Sequence, residues 1–293
     1  MRLRLALPFL LLAACTTVRP TPTDPAAARE SLLSADRALA VAGSVQGGLD
    51  EDAAVLVPNQ NVARGSAARA ALTLGLNGAR LRWRPAYAEV SRDAMRGYTM
   101  GYAELEGAGV DTARRHVQYV AYWRRAPGSP WKILAYVRNP SPPPPSSIVL
   151  PPTPVPGPGA PGDPAPSAEL VMSADRAFAK NGAEQGARAA FVRWVADDAV
   201  AFSPKGFDFG AAVREGYGRA FQGDPQFQWG PVLGDISPSG DLGFTVGEAR
   251  ITIPGANGGL PRLNYSKYLT IWKRQPDGTY RFVVDMGNPR PAR

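Results

Sequence analysis

One cysteine and one histidine are all that the 293-residue chain contains of those two residue types. That excludes a disulfide framework, a Cys/His zinc site and most catalytic triads built on a histidine base. Long apolar runs are missing too: nothing approaches the roughly 18 consecutive apolar residues of a permanent membrane-spanning helix. Basic residues outnumber acidic ones, 33 to 25, for a formal charge of +8, yet no Lys/Arg run exceeds two residues. A dispersed, solvated basic surface fits this better than a nucleic-acid footprint, so no nucleic-acid partner is expected. Apolar residues make up 44% of the chain, enough to build a core and exclude wholesale disorder. At roughly 100 to 200 residues per domain, this length favours two modest domains.

Residues 1–14 have the layout of a secretory signal: Arg2 and Arg4, an apolar run from Leu5 to Leu12, then Ala13-Ala14 before the lone Cys15. Leu12-Ala13-Ala14-Cys15 resembles the lipobox of bacterial lipoproteins. The resemblance implies cleavage before Cys15, lipidation of its thiol, and a membrane partner reached through that N-terminal lipid. Residues 15–25 then serve as a tether, and several acyl chains on one residue hold a soluble body stably at a membrane. The expected address is periplasmic, with Thr16 favouring the outer membrane because inner-membrane retention usually places Asp there. An ordinary signal that leaves a free thiol is the alternative, and an uncommon choice for an oxidising compartment.

From Pro140 to Pro166, 13 of 27 residues are proline, including the run Pro142 to Pro145. Such a segment is an extended, semi-rigid spacer, and 141–166 are taken as a linker. Its flanks, 26–140 and 167–290, are one sequence written twice. Ser34-Ala35-Asp36-Arg37-Ala38 recurs as Ser173-Ala174-Asp175-Arg176-Ala177, and Gly97-Tyr98-Thr99-Met100-Gly101 as Gly243-Phe244-Thr245-Val246-Gly247. Trp83 matches Trp229, Tyr119 and Trp123 match Tyr268 and Trp272, and Asn139-Pro140 matches Asn288-Pro289. Offsets of 139, 146 and 149 keep the matches in order.

In the second copy, Ser167 is an N-cap for a first helix, and further helices are expected near 184–195 and 209–221. Strands are expected near 226–236, 242–253, 263–274 and 279–286, with Pro276-Asp277-Gly278 turning between the last two. The first copy is seven residues shorter after its first helix, so its second helix should be short or missing. Helices followed by an antiparallel meander imply an α+β class with helices covering one face of the sheet.

The Ala-Asp-Arg-Ala-Phe-Ala opening at 174–179, Asp197-Asp198-Ala199-Val200, and the stretch from Tyr268 to Gly278 resemble the SnoaL-like domain of unknown function 4440. That family lies in the nuclear-transport-factor-2-like superfamily. The resemblance covers nearly all of 167–290 and, more weakly, 27–140. It implies two tandem cone-shaped domains, each a curved antiparallel sheet wrapped around N-terminal helices, with a pocket at the open end. It does not imply one function, because the same cone hosts isomerases, cyclases, dehydratases and non-catalytic binders.

Enzymes on this fold generally use an Asp or His base with a Tyr or second acid as partner. Asp285 is the candidate base, with Tyr265 or Tyr217 as hydrogen-bond donor. Strict alternation along the last strand puts Asp285 with Val283 and Arg281, and Phe282, Val284 and Met286 opposite. Glu248, Arg250, Trp229, His116 and Tyr136 are further pocket candidates, Tyr136 being the counterpart of Asp285. A strand-end salt bridge is the plainer role for Asp285. Asp36 and Asp175, kept in both copies, are expected to brace helix against sheet, and Arg80, Arg82 and Arg84 to share one solvated strand face. No metal-ligand spacing and no cofactor motif occurs.

Three readings follow. The favoured one is a lipid-anchored, non-catalytic module whose cones bind a small apolar molecule or an envelope partner. An isomerase or cyclase with Asp285 as base is the second, and it requires that carboxylate inside the second cone. A structural or assembly module is the third, with the two copies packed as an intrachain pseudo-dimer through aromatic-bearing sheet faces.

Overall fold

The computed structural model describes residues 24–74, 76, 78–107, 115–148, 150, 166–221, 225–255 and 259–292. The expected signal at 1–14, the lipidation site Cys15, nearly all of the tether and most of the proline-rich linker lie outside the described residues. No described helix is long and apolar enough to cross a membrane.

The first half runs α1 (Pro25–Ala42), a short 3-10 turn (Val45–Gly48), β1 (Leu49–Leu56), β2 (Ala63–Arg64), α2 (Ser66–Leu74), β3 (Arg80–Val90), β4 (Arg96–Glu106), β5 (His116–Arg124) and β6 (Lys132–Pro140). The second runs α3 (Ala168–Gln185), α4 (Ala187–Trp194), β7 (Val200–Ser203), β8 (Gly206–Phe209), α5 (Ala211–Arg219), β9 (Gln226–Ile236), β10 (Leu242–Ile253), β11 (Arg262–Arg274) and β12 (Tyr280–Pro289). The class is α+β: two curved, mainly antiparallel sheets, each wrapped around its helices. The 3-10 turn stands where the second half has α4, as the missing seven residues imply.

Helix ends follow local chemistry. The Asp24 carboxylate caps α1 by accepting from the Ala26 N–H at 3.0 Å, Pro25 sits where a missing N–H costs nothing, and Gly43 stops the helix at φ +68°. Ser167 caps α3 in the same way, accepting from the Glu169 N–H at 3.3 Å.

Sheet order is β2-β1-β6-β5-β4-β3 in the first half and β12-β11-β10-β9 in the second. The sequence reading did not foresee β1, which pairs in parallel with β6. Its counterpart makes only a single bridge, Val195 to Phe282, and β7 and β8 form a separate hairpin.

A β-bulge in each last strand corrects the strict alternation expected there. The β11–β12 register jumps between the Ile271–Val284 and Trp272–Phe282 pairs, and the β5–β6 register jumps between Tyr122–Ala135 and Trp123–Ile133. One extra residue reverses the sides that follow. Phe282 therefore shares the inner face with Asp285, while Val283 and Val284 both turn outward into one apolar cluster with Met286.

Inside each cone a conserved pair of the repeat ties helix to sheet. Asp36 on α1 accepts from Trp83 Nε1 and the Tyr119 hydroxyl, both at 2.8 Å; Asp175 on α3 accepts from Thr245 Oγ1 at 2.6 Å and the Tyr268 hydroxyl at 3.0 Å. Both carboxyls are bracing groups first.

The outer sheet faces pack on one another. Tyr87, Tyr98, Met100, Val120 and Tyr122 meet Phe244, Val246, Leu269, Ile271 and Val284 in one buried layer, with the Tyr122 and Phe244 rings 4.7 Å apart. Contacts are reciprocal, as at an isologous interface: Asn139 Nδ2 donates to the Gly287 carbonyl at 2.8 Å, and Asn288 Nδ2 donates to the Arg138 carbonyl at 3.2 Å. At the other end, Arg92 N donates to Asp241 at 2.9 Å and Ser239 N to Asp93 at 2.6 Å. Two buried cations here are ion-paired, and a third is held by carbonyls. Lys273 bridges Glu89, itself 2% exposed, and Asp198; Arg96 meets Asp235 at 2.5 Å. Lys267, fully buried, donates to the Val57 and Pro289 carbonyls at 2.9 and 3.0 Å, and burial lowers its pKa to about 8.

Candidate functional site

The open end of the second cone is a cavity of about 240 Å³. Its walls are aromatic because three helices and the inner sheet face converge there. Phe178 comes from α3, Phe191 from α4, Tyr217 from α5, and Phe227 and Trp229 from β9. These rings brace one another: Phe178 stands edge-on to Trp229 at 4.8 Å, and Phe191 lies 4.9 Å from Tyr217. The floor is polar, formed by Ser266, Tyr268 and Thr270 of β11 with Asp285 and Gly287 of β12.

Asp285 is the chemically distinctive group. Thr270 Oγ1 donates to its carboxylate at 2.6 Å, and no ion pair reaches it among the described residues. Burial pushes its pKa up to about 6, the Thr270 hydrogen bond opposing the rise. Asp175 behind it is raised to about 7, chiefly by burial, with hydrogen bonds from Thr245 and Tyr268 opposing and the Asp285 charge adding. Burial and the Asp285 charge together hold the Tyr217 phenol well above its usual pKa. Tyr268 is shifted the same way, and its hydroxyl is committed to Asp175. Tyr217 is thus the phenol left to a ligand: its hydroxyl pairs with no described residue.

Of the sequence candidates, Asp285, Tyr217 and Trp229 meet in this cavity; the others do not. Thr245, Ala249 and Ile251 face inward along β10, so Glu248 and Arg250 face the opposite side, where Arg290 meets Glu248 at 3.2 Å. Tyr265 is one residue out of step with the inward Ser266 and lies 5.1 Å beneath the Arg290 guanidinium instead of donating to a ligand. His116 stands opposite Glu104 at the start of β5, out of step with the inward Val117 and Tyr119, and lines neither cavity. Tyr136 is buried in the first cone, stacked on Tyr119 with ring centroids 5.9 Å apart. Arg80, Arg82 and Arg84 are exposed on one face of β3.

The repeat explains why the two interiors differ. Where the second cone has Asp285 and Thr270, the first has Tyr136 and Ala121, and the Tyr136 ring occupies the floor. Sequence reasoning missed Tyr268, Thr270 and the phenylalanines of the wall, Phe178, Phe191, Phe221 and Phe227. Tyr268 and Thr270 carried a usable signal, since period two from Trp272 places both on the inner face.

Among solved structures, the chain is similar to a nuclear transport factor 2-like superfamily protein from Salmonella enterica serovar Typhimurium, at 10% identity over 43% of this chain and 92% of that one, with a TM-score of 0.34. It is similar to a ketosteroid isomerase-like protein from Erwinia carotovora, at 14% identity over 42% of this chain and 95% of the other, TM-score 0.35. A nuclear-transport-factor-2-like protein of unknown function from Pseudomonas putida matches at 14% identity over 41% and 84%, TM-score 0.32. No family model matches the sequence, and no curated protein matches it.

Proposed function

We propose that the second cone binds a small, largely apolar molecule that presents one hydrogen-bond donor to Asp285, with the first cone serving as its structural partner. One observation carries this reading: a carboxyl with a single neutral partner stands on the floor of an open, aromatic-lined cavity. Few convergent polar groups in a concave apolar site are the usual pattern of small-molecule recognition. A ring packs against the aromatic wall of this cavity, and its hydroxyl or N–H reaches Asp285, beside Tyr217. The body is proposed to be lipid-anchored through Cys15 in the periplasm, at the outer membrane, as the lipobox resemblance implies.

Tryptophan fluorescence of the full-length chain, titrated with 2-naphthol and with naphthalene, tests the site. The expected result is saturable 2-naphthol binding that Asp285→Asn weakens, with naphthalene clearly weaker. Equal binding of the two probes, or none, overturns the assignment.

A second reading has its own support. A carboxyl whose pKa lies near 6 in an aromatic-lined pocket is suited to take a proton from carbon and return it, as an isomerase requires. Solvent deuterium exchange into the acidic C–H positions of 2-tetralone, followed by NMR, separates the readings. Exchange that Asp285→Asn abolishes makes the cavity an active site; exchange at the buffer rate leaves it a binding site.

A further inference from the structure

The first cone has a cavity of its own, about 250 Å³, displaced from the blocked floor toward the end of α1 and α2. Leu72, Leu76, Leu81 and Trp83 form an apolar wall, and Arg138 lies opposite. Arg138 is only 5% exposed. Its Nη2 donates to the Leu72 carbonyl at 3.3 Å, a long and neutral contact. The Tyr136 phenol beside it is raised to about 12 by burial, Arg138 opposing the rise. No carboxylate pairs with Arg138 among the described residues: Asp36, the buried acid of this cone, gives its oxygens to Trp83 and Tyr119.

A guanidinium does not escape by losing its proton, so burial without a counter-charge carries the full desolvation penalty. Other strongly buried charges meet this cost in two ways: Glu89 is paired with Lys273 and Arg96 with Asp235, while Lys267, held by carbonyls alone, has its pKa lowered to about 8, a route a guanidinium lacks. Arg138 is also a position where the duplicated copies differ sharply in size, because its counterpart is Gly287. The Arg138 guanidinium faces a cavity that is apolar on one side and carries hydroxyls of Ser44 and Thr73 at its edge. Thr73 Oγ1 accepts from Gln46 Nε2 at 2.5 Å and donates to the Arg69 carbonyl at 3.4 Å, which leaves Ser44 as the neutral donor.

We propose that the first cone binds a small organic carboxylate, its two oxygens on the forked Arg138 donors and its apolar body against Leu76, Leu81 and Trp83. A planar fork matches a carboxylate in two parallel hydrogen bonds, and the occupant supplies the missing counter-charge. This site is independent of Asp285, so the two halves take ligands of opposite demand, one accepting a donor and one donating to an anion.

Isothermal titration of the full-length chain with sodium benzoate, benzamide and sodium phosphate tests this. Benzoate is expected to bind one equivalent, with benzamide and phosphate at least tenfold weaker, the loss of a charged hydrogen-bonded pair being worth roughly a factor of ten or more. Saturating 2-naphthol should leave the benzoate isotherm unchanged. Arg138→Met should weaken benzoate at least tenfold, Arg138→Lys less. Should Arg138→Met fail to fold, Leu76→Trp, which fills the cavity without touching the charge, should abolish benzoate binding. Absence of benzoate binding, benzamide or phosphate binding as well as benzoate, or a wild-type isotherm from a folded Arg138→Met or Leu76→Trp protein overturns the proposal.

Discussion

Replacing Asp285 by Asn should stabilise the protein at neutral pH and lose that advantage in acid. The folded carboxyl titrates near 6 against 3.8 for an ordinary aspartate, so the native state holds its proton more tightly than the unfolded chain does. Below the unfolded value both states are protonated and the group costs nothing. As pH rises through 4 to 6 the unfolded chain ionises first, and the native state is progressively penalised. At 1.36 kcal/mol per tenfold, the gap from 3.8 to about 6 sets a ceiling of about 3 kcal/mol, fully developed above the folded pKa. Asparagine removes that penalty while its Oδ1 continues to accept from Thr270. Its amide N–H groups find no obvious acceptor in an aromatic pocket, which returns about 1 kcal/mol. The net gain is therefore about 1 to 2 kcal/mol at pH 7.5, falling to zero or slightly below at pH 4. Asp175, raised to about 7, contributes a slope of the same sign to both proteins. Urea unfolding of both proteins at pH 4, 5, 6 and 7.5 reads the difference directly. Parallel stability profiles, or a variant less stable than wild type at pH 7.5, would refute the reasoning.

Two further outcomes follow from the packing and the N-terminus. Phe244→Asp places an unpaired carboxylate in the apolar layer between the sheets, where Phe244 is 1% exposed, at a cost of several kcal/mol. Small-angle scattering should then change from one compact particle to two separated beads on the proline-rich spacer, and an unchanged profile would show that the layer does not hold the halves together. Cys15→Ser in a bacterial host should move the protein from the membrane fraction to the soluble periplasmic extract; retention on the membrane counts against lipidation.

Much of this architecture was readable because the chain repeats itself. Strands β9 and β10 lie where composition and turn residues place them, and the shorter first copy does lose its second helix. What escaped was whatever depends on register between elements distant in sequence. The bulge at Val283 is set by how β12 pairs with β11, and local alternation carries no trace of it. Asp285 was a candidate for its chemistry, yet the strand face assigned to Phe282 was wrong for this reason. Glu248, Arg250 and Tyr265 were polar residues on the right strands, and only the inward phase of β10 and β11 shows that they point away from the cavity. Parallel pairing of β1 with β6 joins segments some 80 residues apart, beyond the reach of periodicity. Arg138 went unnoticed because a lone arginine in a strand usually marks a solvated edge.

The fusion of two mirrored halves through an isologous-type interface fixes their stoichiometry. Two separate genes for an open cone and a blocked cone would assemble into a statistical mixture of open pairs, blocked pairs and mixed pairs, shifting with expression and dilution. Joined in one chain, each Asp285 cavity is delivered with one Arg138 cavity on the far side of the same buried layer. Any substitution at that interface is made once rather than twice, so an ion pair such as Lys273 with Glu89 arises without a mirror image. The molecule carries the asymmetry of a heterodimer at an invariant ratio of one to one.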